Sequence, residues 1–134
     1  MNLAAIRAGL KTRLATISGL RTYDTIPDSF TAPAAIVGMP TLISYDATFN
    51  RSHDKLTFPI RVLVTKATDR AAQERLEPYL DGTGSTSIKT AIEGDPTLGG
   101  AAALVRVLNA QGLGVYDVAG IPYLGAEFTV EVIA

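Results

Sequence analysis

The stretch ISYDATFNRSHDKLTFPIRVLVT, Ile43–Thr65, contains two runs of alternating apolar and polar residues separated by a polar segment. The alternation covers Ile43–Phe49 and then Leu56–Val64, and a period of two residues is typical of half-buried strands. The residues between them, Asn50–Lys55, carry charges of both signs and suit the tip of a hairpin. Because strands joined by a hairpin run antiparallel, this stretch predicts an antiparallel sheet. Pro59 lacks a ladder donor, so its strand is predicted to lie at an edge or to carry a bulge.

The N-terminal residues predict an amphipathic helix. Asn2 can cap its start, and Gly19 can take the left-handed position that ends a helix. The apolar positions that follow the helical period are Leu3, Ile6, Leu10, Leu14 and Ile17.

The remaining chain predicts further strands and two shorter helices. In chain order these are a strand at Ala34–Gly38, a helix capped by Thr68 or Asp69 and kinked or shortened by Pro78, a helix over Ser87–Glu93, a strand over Ala101–Asn109, a turn over Gln111–Gly114, a short segment Val115–Val118 and a final strand AEFTVEVI, Ala126–Ile133. The order predicts one domain, residues 1–134, with an α+β fold. Its sheet is mostly antiparallel with about five strands, and the N-terminal helix and two shorter helices pack on one face.

Composition excludes several classes of protein. The chain has 134 residues, a net charge of -1 and no cysteine. A charge near zero argues against nucleic-acid binding by bulk attraction, and the lack of cysteine excludes thiol catalysis and zinc–thiolate sites. Only 19% of residues are charged, and such a chain tends to leave apolar surface for a partner. Arg7, Lys11 and Arg13 fall where a signal peptide needs its apolar core, and no apolar run approaches the about 20 residues of a membrane helix.

The stretch LDGTGSTSIKTAIEGD, Leu80–Asp95, resembles a phosphate-binding loop but fails the spacing of both glycine motifs. A Walker loop requires a glycine immediately before its lysine, and Lys89 lacks one. Ser87 stands where a dinucleotide motif needs its third glycine. Structural roles account for the same residues. Gly82 is predicted to end one helix, Gly84 to permit a turn, and Ser85 or Ser87 to cap the next helix.

No set of residues predicts catalysis, a cofactor or a metal site. A serine–histidine–aspartate arrangement would need His53, the single histidine, as its base. His53 falls in the predicted hairpin tip, where a base would be hard to orient and to shield from water. The protein is therefore predicted not to be an enzyme.

The face of the first helix opposite its apolar stripe is a candidate subunit interface. It carries small residues, which allow close approach of a partner, and basic residues on its flanks. Alanine is also a good helix former on an ordinary exposed surface, so the alternative that this face has no partner stays open. The candidate interface residues are Ala5, Arg7, Ala8, Lys11, Thr12 and Ala15.

Several segments together resemble tail terminator proteins, also called tail completion proteins, of long-tailed bacteriophages. The segments are the N-terminal helix, PAAIVGMP at 33–40, LEPYLDGTGSTSIKTAIEGDPTLGG at 76–100 and YLGAEFTVEVIA at 123–134. The matching positions are Tyr79, Gly84, Ser87, Ile88, Leu98, Gly99, Gly100, Tyr123, Gly125, Glu127, Phe128 and Val130. The resemblance spans most of the chain, and its motifs are structural rather than catalytic.

The resemblance implies a structural virion protein that needs no cofactor. It implies a homohexameric ring that caps the head-proximal end of the tail tube, ends tube polymerisation and forms the head–tail joining surface. The implied partners are further copies of the chain, the major tail tube protein and a head–tail connector or stopper protein. DNA passes through the lumen without sequence-specific binding, and no membrane is involved. The implied location is the virion, after synthesis in the host bacterial cytoplasm.

The hairpin tip lies in Ser44–Lys55, the part least similar to the family, where partner specificity is predicted to reside. The candidate partner-contact residues are Asn50, Arg51, Ser52, His53, Asp54 and Lys55. Two alternative functions stay open at this point. One is another neck component, a head-completion or stopper protein, and the other is a small nucleotide-binding domain or enzyme.

Overall fold

A long strand, Lys55–Lys66, lies at the centre of the sheet in the computed structural model, which describes residues 1–25, 27, 29–66 and 70–134. The elements are α1 (Leu3–Leu14), β1 (Arg21–Tyr23), β2 (Ala34–Val37), β3 (Leu42–Ser44), β4 (Lys55–Lys66), α2 (Ala72–Leu80), α3 (Ile88–Glu93), a 3₁₀ turn (Leu98–Gly100), β5 (Leu104–Val118) and β6 (Ile121–Ile133). The architecture is α+β, as the sequence predicts.

Across the described residues the strand order is β1-β2-β4-β6-β5, and β3 pairs with β4 beyond the end of β2. The β1–β2 pair is parallel and the other pairs are antiparallel. The sheet has six strands rather than the expected five, because Arg21–Tyr23 in the first loop also pairs. None of the described helices is long and apolar enough to cross a membrane.

The core lies between one face of the sheet and the three helices. Alternate residues of β4 and β6 point into it, as the period of two predicts. The buried members are Leu56, Phe58, Ile60 and Val62 of β4 and Ala126, Phe128, Val130 and Val132 of β6. From the helices, Ile6, Leu10 and Leu14 of α1, Leu76 of α2, and Ile88 and Ile92 of α3 complete the core.

Helix α1 begins as predicted but ends earlier. The Asn2 side chain accepts a hydrogen bond from the Ala5 N–H at 3.1 Å, which caps the first turn. The helix stops at Leu14, so Ile17 lies outside it and packs into the core from a following turn. Gly19 does adopt a left-handed φ of 81°, but it reverses the chain after this turn rather than ending the helix directly.

Pro59 lies in the central strand, so the predicted edge position is wrong. Its carbonyl accepts from the Gly38 N–H at 2.9 Å, on the side where β2 has ended and β3 has not begun. Because the N and C=O of a strand residue point to the same side, the absent N–H faces this gap. The ladder therefore loses little there.

The two hairpins also differ from prediction. The first strand of the β3–β4 hairpin ends at Ser44 instead of Phe49, and Lys55 belongs to β4 rather than to the tip. The connecting segment 45–54, here named the tip loop, is thus longer than expected. In the second hairpin, 111–114 is a register shift within one continuous strand β5, not a turn between two segments.

The β5–β6 turn is a two-residue connection. Ala119 and Gly120 both have positive φ, 52° and 80°. That is the pattern of the type I′ turn, whose twist matches that of the paired strands.

Helix α2 begins at Ala72 with Ala71 as its N-cap residue, and the predicted caps Thr68 and Asp69 lie outside the described residues. Pro78 is tolerated inside the helix, which ends two residues later at Leu80. Asp81 already takes extended dihedrals, so Gly82 does not end this helix as expected.

Candidate assembly surfaces

The glycine- and hydroxyl-rich segment 80–95 is a corner between α2 and α3. The fully buried Ser87 accepts from the Thr90 N–H at 3.2 Å, and its hydroxyl donates to the Asp81 carbonyl at 2.5 Å. Ser87 is therefore the N-cap of α3, which confirms one of the two predicted candidates. Gly84 has a φ of +112°, so its predicted turn role is also confirmed. The Lys89 ammonium pairs with Glu93 at 2.6 Å on the same helix, rather than standing free at the loop.

Glu93 forms a side-chain hydrogen bond to the backbone of β5, the strand at the edge of the sheet. Its carboxylate accepts from the Val107 N–H at 2.9 Å, and β5 is the edge strand, which among the described residues pairs with β6 alone. Partial burial acts to raise the pKa of Glu93. Hydrogen bonds from Lys89 and Val107, together with the charges of Lys89 and Arg106, outweigh burial and lower the pKa below 4.5. A charged side chain at an unpaired strand edge also hinders addition of a further strand there.

The polar residues of the tip loop bind mainly one another. The Thr48 hydroxyl and the Asn50 side-chain oxygen both accept from the Ser52 N–H, at 3.2 and 3.3 Å. The His53 Nδ1 lies 2.9 Å from the Ser52 hydroxyl, so this histidine forms part of the loop's internal network. Within the described residues, no group of three or more potential metal ligands lies together.

The tip loop is also fixed at its base and presents two aromatic side chains. Asp54 and Ala134 exchange both backbone hydrogen bonds, at 2.7 and 2.9 Å. Phe49 was expected in a strand, but it lies in this loop with 106% of its reference surface exposed. Tyr45, in the same loop, is 71% exposed. The loop is a hydrogen-bonded structure that carries apolar groups outward, which the polar composition of Asn50–Lys55 did not indicate.

The small-residue face of α1 lies at the surface. Ala8, Lys11, Thr12 and Ala15 are exposed, and Ala5 and Arg7 are half-buried. Beside this face α1 approaches the 3₁₀ turn so closely that a Cβ added at Gly9 would lie 2.8 Å from the Leu98 Cβ. A shallow groove runs between the two elements.

The face of the sheet away from the helices, here named the outer face, carries cross-strand ion pairs. Arg61 and Glu127 are register partners with charged atoms 3.5 Å apart, and Lys55 lies 3.3 Å from Glu131. The Arg61 guanidinium also stacks over the Tyr116 ring at 4.7 Å. Partial burial, followed by the nearby Glu127 charge, raises the pKa of Tyr116 above its usual value of 10.0.

The outer face also contains an apolar cavity of about 270 Å³, here named the outer cavity. Phe30, next to the Tyr123 ring at a centroid distance of 5.0 Å, forms one wall. The residues around it are Pro27, Phe30, Ile36, Gly38, Met39, Pro59, Arg61, Leu63, Val118 and Glu127.

Sequence reasoning missed this cavity because its walls come from the first loop, β2, β4 and the β5–β6 hairpin. No local pattern joins these segments.

Models of known protein families give no match to the chain, and a search of curated proteins finds no relative.

Proposed function

We propose that this protein is a structural virion component of a long-tailed bacteriophage, which assembles as a ring at the head-proximal end of the tail tube. There it ends tube polymerisation and offers the surface that joins tail to head. The observation that carries the proposal is the set of sequence positions at which this chain resembles tail terminator proteins.

Some of these positions fix the local backbone or pack separate segments together, and others, Ile88, Leu98, Phe128 and Val130, lie in the core. Ser87 caps α3, and Gly99 and Gly100 take φ angles of 70° and 97° that favour glycine. The Tyr123 ring packs against the Phe30 ring in a tilted arrangement, and Gly125 lies so close to β4 that an added Cβ would overlap the Val62 carbonyl oxygen. Many hydrophobic residues can fill a core, but few residue types can replace a helix cap or a glycine at positive φ. Resemblance at the second kind of position therefore supports a similar architecture more strongly than resemblance among core residues.

Exposed apolar side chains support assembly with partners. Among the described residues, large apolar side chains are exposed at the N-terminus, after β2, on β3 and the tip loop, on β5 and at the start of β6. They are Met1, Met39, Leu42, Tyr45, Phe49, Leu104, Leu108, Leu113, Val115 and Ile121. Surfaces of this kind mark interaction sites when they are contiguous.

The α1 face is our candidate for one ring contact. A ring requires one patch to meet a different patch on the next copy. Half-buried Ala5 and exposed Ala8 and Thr12 form a surface strip without long side chains. Arg7, on the flank of this strip, donates to the Met39 sulfur at 3.7 Å, which connects the strip with the outer cavity.

The test measures the mass of the oligomer that the protein forms and the length of the tail tubes assembled in its presence. Native mass spectrometry of the purified protein should give a closed oligomer, with six copies the expected number. Added to polymerising tail tube protein, it should shorten the tubes in proportion to its concentration. A monomer that leaves tube length unchanged would refute the proposal, and binding to connector protein without binding to tubes would favour the stopper alternative.

A variant tests the α1 face separately. Ala8→Glu places a charge in the strip and should reduce the oligomer fraction, whereas Ser85→Glu places the same charge on an exposed residue outside it. Equal oligomer fractions for the two variants would show that α1 is not an interface.

A further inference from the structure

We infer that Phe49 of one copy inserts into the outer cavity of a neighbouring copy, as the head-to-tail contact that closes the ring. This inference deepens the proposed function and rests on its claim of self-assembly. It assigns the tip loop to a second copy of this chain rather than to the tube protein.

Phe49 has the properties of a preformed anchor. It is fully exposed, yet its loop is held by the hydrogen bonds among Thr48, Asn50 and Ser52 and by the backbone pair of Asp54 with Ala134. An aromatic side chain on an already ordered loop loses little conformational freedom on binding. Buried aromatic anchors supply much of the affinity in protein interfaces.

The outer cavity suits a single side chain. Its volume of about 270 Å³ falls below the range of about 300–1,000 Å³ typical of sites for whole ligands. Phe30 offers a ring for an aromatic contact, and Met39 offers a flexible thioether that adapts to an inserted ring. Arg61 and Glu127, the charged residues among the described part of the wall, already pair with each other, so insertion would leave neither without a partner.

Phe49 cannot fill the cavity of its own chain without rearrangement of the loop. The loop leaves the sheet at Lys55, where β4 begins, and the cavity lies around Arg61. At about 3.3 Å per residue, Arg61 lies roughly 20 Å along the strand from Lys55. The anchor and the cavity are therefore different patches of one surface, which is the condition for a head-to-tail contact between copies.

The cavity wall also contacts the flank of the α1 face through one residue. Met39 both lines the cavity and accepts the hydrogen bond from Arg7. A neighbour that inserts Phe49 would thus contact a surface that adjoins the flank of the strip already proposed as an interface.

Cross-linking between single-cysteine variants tests the contact directly, because the native chain has no cysteine. Ala47→Cys places a thiol on an exposed position of the tip loop and retains Phe49. It is mixed with Val118→Cys, which places a thiol in the cavity wall, and treated with a short bis-maleimide. We expect a mixed dimer to form at least ten times faster than with the control mixture of Ala47→Cys and Leu113→Cys. Leu113 is 57% exposed on the same strand as Val118 but does not line the cavity. Equal rates for the two mixtures would overturn the inference.

The double variant Ala47→Cys/Val118→Cys, which retains Phe49, tests the arrangement. A head-to-tail contact should give a ladder of cross-linked species beyond the dimer, and a ladder that stops at the dimer would overturn it. Phe49→Ser should also lower the oligomer fraction at least tenfold relative to Tyr45→Ser in the same loop. If Phe49→Ser oligomers persist but no longer bind tubes, the loop contacts the tube and the inference fails while the proposed function stands.

Discussion

The two faces of the sheet are built from the same strands but serve different purposes. On the inner face, alternate residues of β4 and β6, such as Phe58 and Val130, are sealed under the helices. On the outer face, the intervening residues form ion pairs such as Arg61–Glu127 and surround an open apolar cavity. We therefore predict that truncation of buried inner-face side chains lowers stability, whereas truncation of exposed outer-face side chains leaves stability nearly unchanged and affects the proposed assembly.

The largest expected effect tests the inner face. Phe58→Ala should lower the free energy of unfolding by about 3–5 kcal/mol, because it removes a fully buried aromatic ring and leaves a cavity. Urea denaturation followed by circular dichroism measures this. Thr57→Ala, the next residue on the outer face, should cost less than about 1 kcal/mol. Similar costs for the two variants would contradict the assigned division between the faces.

An intermediate effect on stability is expected at Gly125, an outer-face position of β6 that lies against the backbone of β4. A Cβ on Gly125 would overlap the Val62 carbonyl oxygen and lie 2.7 Å from Leu63 Cδ2. Gly125→Ala should therefore cost about 1–3 kcal/mol of stability, as overpacking does in a core. Gly114 is the register partner of Gly125, and a Cβ added there would meet no atom within 4 Å, so Gly114→Ala is the matched control. A neutral Gly125→Ala would mean that the outer face yields more easily than the geometry indicates.

The smallest effect on stability is expected at Glu93, which bonds to β5 at the edge of the sheet. Glu93→Gln should cost about 1 kcal/mol at pH 7, because it weakens the bonds to Lys89 and Val107. Since folding lowers the pKa of Glu93, its stabilisation is present above the ordinary pKa of 4.5 and is lost as the pH falls through the lower folded value. Thermal unfolding of both proteins from pH 7 to pH 3 measures this. The gap between them should narrow at acid pH, and a constant gap would contradict the assigned role.

Local pattern predicted most of the elements. The period of two over Leu56–Val64 and the helical period over Leu3–Leu14 reflect which side chains face the core, and that information is contained in the sequence. The caps Asn2 and Ser87 were predictable for the same reason, since a cap bonds to a backbone N–H only a few residues away.

Errors occurred where a distant segment decides the local structure. Pro59 is acceptable in a central strand only because β2 and β3 leave a gap beside it. Residues 111–114 form a register shift rather than a turn because β6 continues alongside them. The alternation from Tyr45 to Phe49 predicts a strand, but β4 pairs with β3 only as far as Ser44, so these residues form the tip loop instead.

The sequence by itself therefore determined the fold class, the core-facing residues of β4 and β6, and the N-caps Asn2 and Ser87, because these depend on contacts within a few residues. Only the tertiary structure decided the strand order, the exposure of Phe49 and the existence of the outer cavity. These depend on residues such as Phe30, Met39 and Val118, which folding brings together from widely separated segments. The candidate contact between copies could be recognised only at that level, because neither the anchor nor its cavity corresponds to a local sequence pattern.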